Sequence, residues 1–443
     1  MFVSFSLSGF RSFLHEQTLT MVADPAEKKN LAEHLSPLPV GHDGDVLPLA
    51  MVYGPNAAGK SNLLRGLDFL RQSVLDGFDG VQPFSFAGEI PATECSVRFT
   101  TAHRLLEYGF EATQDTILSE WLVEVTPDDS PDKVLFERTS TQELTLGDEL
   151  TTGPAAEKML ALKALGPKTN ELLLHSALRN VDRDQLPESF QEATQFLESI
   201  VVISAGASFI NLAGRIAQDT TFKEHIVKVL RAADTGVCDL ETKTEFVDSD
   251  DTTDRLARDG GTGIPLPHGA YLEFGEGKNT LTTLSCGHET SSGTIRELDF
   301  SEESDGTQRL AHLAPALSSA GKTLYIIDEL DRSLHPLLAR RFLELFLSHC
   351  RTTGSQLVVT AHETTLLTQE LLRRDEIWFV EKTHPDLASV LSSLSEFKVR
   401  KDRRLARSYL AGRFGAVPHF DEFKLLNRPT EVQGPDAAAK KAG

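Results

Sequence analysis

Eight residues, Gly54 to Ser61 (GPNAAGKS), constrain this chain more than any other stretch, because they fit G-x-x-x-x-G-K-[ST] without a mismatch. Each residue type in that pattern has a physical task. Gly54 and Gly59 let the backbone curl until successive N–H groups face one anion, and a helix starting at the loop's end adds its positive N-terminus. Lys60 offers a point charge to the β- and γ-phosphates of a nucleoside triphosphate, and the Ser61 hydroxyl offers a hard oxygen to Mg2+. Asn56 and Ala58 within the stretch, and Asn62 directly after it, are candidate nucleotide contacts. The flanks agree. LPLAMVY (Leu47–Tyr53) reads as a buried strand entering the loop, and Leu63, Leu67, Leu70 and Val74 recur at helical spacing behind it. Strand, loop and helix together predict an α/β architecture with a triphosphate site, without separating ATP from GTP.

Three later segments extend the pattern. TLYIIDE (Thr323–Glu329) is an apolar strand ending in two carboxylates. In a parallel sheet its carboxyl end shares an edge with the phosphate loop, so Asp328 is placed to hold Mg2+ through water and Glu329 to polarise the attacking water. Taken alone, such a pair as often caps the next helix. QLVVTAHE (Gln356–Glu363) is a second apolar strand, running into His362. FSEESDGTQRL (Phe300–Leu310) puts Ser304, Asp305, Gly306, Thr307 and Gln308 before a helix marked by Leu310, Leu313 and Leu317. A hydroxyl, a glycine and free N–H groups at a helix start can bind a second anion. They equally read as a helix capped by Ser304, and the two readings are compatible.

Composition narrows the function. The 443 residues carry 44 Lys+Arg against 65 Asp+Glu, a formal net charge of −21, which argues against a basic scaffold coating nucleic acid. The local cluster KVRKDRRLAR (Lys398–Arg407) reads more readily as a solvated helix face than as a nucleic-acid contact. Four scattered cysteines with no C-x-x-C exclude a zinc ribbon or disulfide framework and fit a reducing cytoplasm. The N-terminal MFVSFSLSGFRSF does not read as a signal peptide, and no run of apolar residues is long enough to span a membrane.

Coarse patterning predicts strands within 1–24 and 94–125, a mostly helical stretch over 155–235 that includes SFQEATQFLESIVVI, and loops at Asp248–Gly263 and Gly275–Gly293. It further predicts strands at Thr323–Ile327, Leu357–Thr360 and Ile377–Val380, a helix at Leu337–His349 and a disordered tail from Thr430. The expected division is 1–150 for the first part of a nucleotide-binding head with an antiparallel β subdomain, 151–240 for a helical insertion, 241–430 for the rest of the head, and 431–443 for the tail.

The order of phosphate loop, long insert, serine-glycine helix cap, Asp-Glu strand and strand with His resembles the ABC-type ATPase heads of the RecF/SMC/OLD branch. The resemblance implies a mixed sheet with flanking helices and an antiparallel β part, here with a short helical insertion and no long coiled coil. It implies ATP with Mg2+, and two heads that sandwich two nucleotides. Ser304 and Gly306 would then contact the γ-phosphate bound by the partner's Lys60. His362 would sense the γ-phosphate of its own chain, and Asp331 in DELDRSLHP would touch across the dimer. ESDGT departs from the usual LSGGQ, with Asp305 where a glycine is common, and Gln82 is the candidate for the glutamine that usually joins the Mg2+ shell.

GFRSF, YGPNAAGKSNLL, ESDGTQRL, DELDRSLHP, DEIWFVEK and SYLAGRFGAVP are similar to the RloA/AbiL group of bacterial AAA-like ATPases. That group implies an antiphage role and a separately encoded effector, a TOPRIM-like or HNH nuclease. About sixty residues after Val380 are too few for a TOPRIM domain of this chain's own. The alternatives are a RecF-like DNA-repair ATPase acting directly on DNA, and a scaffold whose nucleotide is purely structural.

Overall fold

Apolar runs without polar interruption suit strands covered on both faces, and LAMVY, LYII, QLVVT and IWFV are such runs. In the computed structural model they form the centre of one six-stranded sheet. The residues it describes are 1–39, 41–127, 130–139, 143–152, 154–166, 168–204, 211–250, 253, 263–275, 278–318, 321–398 and 405–417. Across the sheet the strands run Ile200–Ile203, Leu324–Ile327, Gln356–Thr360, Leu49–Tyr53, Ile377–Lys382 and Ser389–Ser393. The first five are mutually parallel, and the last pairs antiparallel with its neighbour.

Side chains alternate across this sheet, so its two faces belong to two separate cores. Ala50, Val52, Ile326, Val358, Trp378 and Val380 enter one, with Leu63, Leu67 and Leu70 of the helix Lys60–Leu75. Leu49, Met51, Tyr53, Ile327, Val359 and Phe379 enter the other, with Phe342, Leu343 and Phe346 of the helix Pro336–Thr353.

The first core is closed by a seven-stranded antiparallel sheet in the order Leu144–Leu146, Lys133–Arg138, Ile117–Glu124, Leu105–Ala112, Thr93–Thr100, Phe2–Ser8, Gln17–Thr20. Its alternating burial, as in Thr93–Thr100, is that of a sheet with one wet face. The phosphate-loop helix lies on the dry face so closely that a Cβ at Gly66 would come 2.6 Å from Leu7 Cδ2. A polar knot binds the excursion after Gln17–Thr20 to the parallel sheet: His34 Nδ1 is 2.7 Å from Glu376 Oε1, Arg374 pairs with Glu27 at 3.3 Å, and Arg373, paired with Asp375, donates to the Asn30 carbonyl.

The stretch over 155–235 holds helices at Ala156–Leu165, Leu173–Asn180, Glu188–Glu198, Leu212–Gln218 and Thr220–Ala232. The helix Leu173–Asn180 is anchored by buried Glu120, which accepts the N–H groups of Leu173 at 2.6 Å and Leu174 at 3.1 Å. One part of the helical reading is corrected. SFQEATQFLESIVVI breaks at Ser199, and Ile200–Ile203 is a strand paired with Leu324–Ile327. Four consecutive β-branched residues override the helical period there. The segment expected as an insertion therefore contributes to the parallel sheet.

A second correction concerns Gly275–Gly293. Lys278–Glu289 is a twelve-residue strand at the centre of a five-stranded antiparallel sheet with Val237–Asp248, Tyr271–Glu273, Gly263–Pro265 and Ile295–Asp299. Thr280, Thr283 and Ser285 are partly wet and Thr282 is buried, and so many hydroxyl residues hide the strand from an apolar count. Much of the predicted Asp248–Gly263 loop, four cations of Lys398–Arg407 (Arg400, Lys401, Arg403 and Arg404) and the tail lie outside the described residues. Among the described residues the longest helix has 18 residues, so no long coiled coil is present, and no helix is long and apolar enough to cross a membrane.

Candidate functional site

The phosphate loop leaves the buried strand Leu49–Tyr53 and turns into the helix Lys60–Leu75 through Gly59 at φ 119°, a value that L side chains rarely adopt. A Cβ at Gly59 would lie 2.2 Å from Ser389 Oγ and 2.8 Å from Ser12 Oγ. One at Gly54 would lie 2.3 Å from the Val380 carbonyl oxygen. Both glycines are thus required by close approach as well as by the anion. Ser389 Oγ donates to the Ala58 carbonyl at 2.5 Å, and its backbone N–H to the Ser12 carbonyl at 2.7 Å. Asn62 Nδ2 donates to Ser12 Oγ at 2.9 Å, so its amide braces the GFRSF turn, while Asn56 is exposed at the loop's crest.

Lys60 is only 6% exposed, and its ammonium donates to the loop's own carbonyls, Gly54 at 2.8 Å and Pro55 at 3.2 Å. Burial lowers its pKa, while Asp328, Glu329 and Asp331 pull the other way. The acidic strand end and the phosphate loop therefore share one electrostatic neighbourhood, as the parallel register requires. Thr360 pairs with Val52 on one side of its strand, and Val359 with Ile327 on the other.

At that edge Thr360 Oγ1 donates to Asp328 Oδ1 at 2.6 Å and accepts from the Glu329 N–H at 2.7 Å. Glu329 itself sits at φ 51°. Its carboxylate lies 3.6 Å from Arg332. Asp331 Oδ2 accepts the backbone N–H groups of His362 at 2.9 Å and Glu363 at 2.6 Å, which ties the turn after the Asp-Glu strand to the exposed His362.

The serine-glycine cap forms as the sequence suggests. Ser304 is the N-cap of the helix Asp305–Leu313, and its Oγ accepts the Thr307 N–H at 3.2 Å. Among the described residues no hydrogen bond or ion pair joins 304–307 to the phosphate loop, 54–61, of the same chain. The cap lies instead against the turn after the Asp-Glu strand, where a Cβ at Gly306 would be 3.0 Å from the Ser333 carbonyl oxygen.

The sequence reading missed the residue that joins these parts. Arg309, one turn into that helix and 7% exposed, donates through Nη2 to the carbonyls of Asp328 at 2.7 Å and Glu329 at 2.9 Å. Burial, with Arg332 adding to it, lowers its pKa to about 10. Arg11, Ser12, Thr360 and Ser389 were missed as well. Arg11, at φ 49°, donates its N–H to the Gln82 carbonyl at 2.8 Å, so Gln82 flanks the phosphate-loop side with its side chain exposed. GFRSF and ESDGTQRL were visible as strings, but a bond to a backbone carbonyl leaves no spacing signal.

These residues fit a magnesium nucleotide. Asp331 Oδ1 is buried without a partner, and no side chain among the described residues engages the Ser61 hydroxyl. Ser61 and Asp328 are hard oxygen donors of the kind Mg2+ takes, and Lys60 is a largely buried cation whose ammonium, among the described residues, hydrogen-bonds only to carbonyls.

A parallel sheet bearing a phosphate loop, with an Asp-Glu strand two places away, an antiparallel β layer and a separate capped helix, is an ABC-type ATPase head. The family model described as AAA domain, putative AbiEii toxin, Type IV TA system matches residues 49–368, and the chain belongs to that family. Among solved structures, the SMC head domain from Thermotoga maritima is similar at 14% identity, covering 88% of this chain and 98% of that one, with a TM-score of 0.37. A structure of the SmcHead bound to the C-winged helix domain of ScpA is similar at 12% identity, covering 88% and 97%, with a TM-score of 0.39. No curated protein matches the chain.

Proposed function

We propose that this chain binds and hydrolyses ATP as a subunit of a bacterial antiphage defence complex, pairs with a second copy around two nucleotides, and uses that state to control a separately encoded effector of the TOPRIM-like or HNH nuclease kind. The observation that carries the ATPase part is the convergence of Lys60, Asp328, Glu329, Asp331 and His362 on one sheet edge, with Asp328 and Glu329 held there by Thr360 and Arg309. The family's link to abortive-infection and toxin–antitoxin proteins supports the defence setting.

In this reading Gly54–Ser61 cradles the phosphates, and Lys60 leaves its loop carbonyls for the β- and γ-phosphate oxygens. Glu329 accepts a hydrogen bond from the attacking water and orients it in line, and His362 contacts the γ-phosphate. Ser61 and Asp328 would hold Mg2+, which when bound offsets phosphate charge. The Ser304–Thr307 cap, which makes no bond to its own loop among the described residues, faces the nucleotide of the second copy, and Asp331 lines the seam between them. Asn56, Ala58 and Asn62 shape the loop.

Glu329→Gln should abolish phosphate release while leaving ATP binding intact, and should shift the chain from monomer to dimer by light scattering when ATP is added. A variant that binds ATP and stays monomeric would overturn the sandwich. Unchanged turnover would remove Glu329 from the chemistry.

A further inference from the structure

The strand Val237–Asp248 is one edge of the five-stranded sheet. Its inner side pairs with Lys278–His288 along its length, apart from an irregularity at Cys238. Its start is covered by the helix Thr220–Ala232, where Arg231 donates to the Cys238 carbonyl. From Glu241 onward no strand among the described residues pairs with the outer side. Side chains from Lys243 to Asp248 are exposed, with Phe246 at 77%. An open edge carrying an exposed aromatic is a template for another strand, and a lysine on it is the usual deterrent.

The charges here are arranged so that one partner cancels that deterrent. Glu241, Lys243, Glu245 and Val247 lie on one face of the strand, Thr242, Thr244 and Phe246 on the other. Lys243 Nζ is 2.7 Å from Glu245 Oε1 of its own strand. In an antiparallel pair of identical strands the two-fold axis must fall on a residue. Centred on Thr244, Lys243 of each copy faces Glu245 of the other, and Phe246 of each covers Thr242 of the other. Centred on Lys243, lysine meets lysine and Glu241 meets Glu245; centred on Glu245, glutamate meets glutamate. Like charges directly opposite destabilise a sheet and opposite charges support it.

We propose that the Glu241–Asp248 edge docks a second copy of this chain, strand to antiparallel strand about Thr244, joining two five-stranded sheets into one. This contact is separate from the nucleotide sandwich and forms without nucleotide. Two different isologous contacts on one chain build either a closed four-chain assembly or a filament, so this edge sets the order of assembly above the dimer. Its short length makes it a weak contact by itself.

Sedimentation of the full chain without nucleotide, at on the order of tens of micromolar, tests it. A monomer–dimer equilibrium is expected. Lys243→Glu should weaken it about tenfold by setting like charges opposite one another. Adding Glu245→Lys to that variant should restore it, a rescue that loss of folding could not produce. Lys60→Ala should leave it unchanged, which separates this interface from the triphosphate reading. Thr244→Cys should form a covalent dimer on mild oxidation, since facing Cα atoms sit about 4.5 or 5.5 Å apart in such a ladder, within disulfide reach. A wild-type chain that stays monomeric, a double charge swap without rescue, or a Thr244→Cys chain that does not cross-link would each overturn the proposal.

Discussion

Thr360 does two things that valine in its place could not. Its hydroxyl donates to Asp328 and accepts from the Glu329 N–H, at 2.6 and 2.7 Å. Glu329 is in the left-handed region, a conformation that costs a non-glycine residue about 1–3 kcal/mol and persists only when its surroundings hold it. Thr360 holds its N–H and Arg309 its carbonyl. Thr360→Val keeps the volume but removes the partner of a part-buried N–H, so urea unfolding should show a loss of about 1 kcal/mol, and turnover should fall more than ATP affinity. Arg309→Lys keeps a charge but not the planar group whose Nη2 reaches the Asp328 and Glu329 carbonyls while Nη1 reaches that of Ser204. Steady-state kinetics should show kcat down about tenfold with KM within about threefold, the pattern of a residue acting through Glu329's position.

At the scale of elements, the helix Asp305–Leu313 carries a pH signature. His312 is buried against Phe300, with ring centroids 5.8 Å apart, and faces Arg309 and His268. Burial first, then those two neighbours, lowers its pKa from 6.5 to about 4. The folded state therefore favours the neutral ring. The stability this contributes is complete above pH 6.5 and is lost as pH falls towards 4, by on the order of 3 kcal/mol. Denaturant midpoints should drop between pH 7 and pH 4.5, and His312→Phe should flatten that slope. The phosphate-loop turn gives a steric counterpart. Gly59→Ala would drive a Cβ into Ser389 and Ser12, so calorimetry should show nucleotide binding lost, with the sheet's circular dichroism retained.

Legibility followed the physics of each element. Strands apolar on both faces, such as Leu49–Tyr53 and Leu324–Ile327, announced themselves, as did the loop whose glycines the turn demands. Lys278–Glu289 did not, because a half-wet strand of Thr and Ser looks like a loop to any count of apolar residues. Ile200–Ile203 was absorbed into the preceding helix because nothing but β-branching marks the boundary. The site divided the same way. Residues that touch phosphate have fixed spacings and could be read. Arg309 acts on the Asp328 carbonyl and Thr360 on the Asp328 carboxylate, atoms brought near only by the fold, 19 residues and 32 residues away in the chain.

For the molecule as a whole, a net charge of −21 weighs against direct action on DNA. Without a partner and at about 150 mM salt, gel shift with duplex DNA should show no ATP-dependent complex; a salt-sensitive one would favour the RecF-like alternative.

Arg309 also has a consequence beyond its own pocket. The Ser304 cap begins the helix that carries Arg309, and the Arg309 guanidinium holds the carbonyl of Glu329, the proposed catalytic carboxylate. In the proposed sandwich, a neighbour's nucleotide that displaced the cap would also displace the helix that carries Arg309, and with it the Glu329 carbonyl, so the two cleavage events of a clasped pair would be coupled. Mixing intact chains with Glu329→Gln chains should slow the intact partners too, pulling the rate below what simple dilution allows.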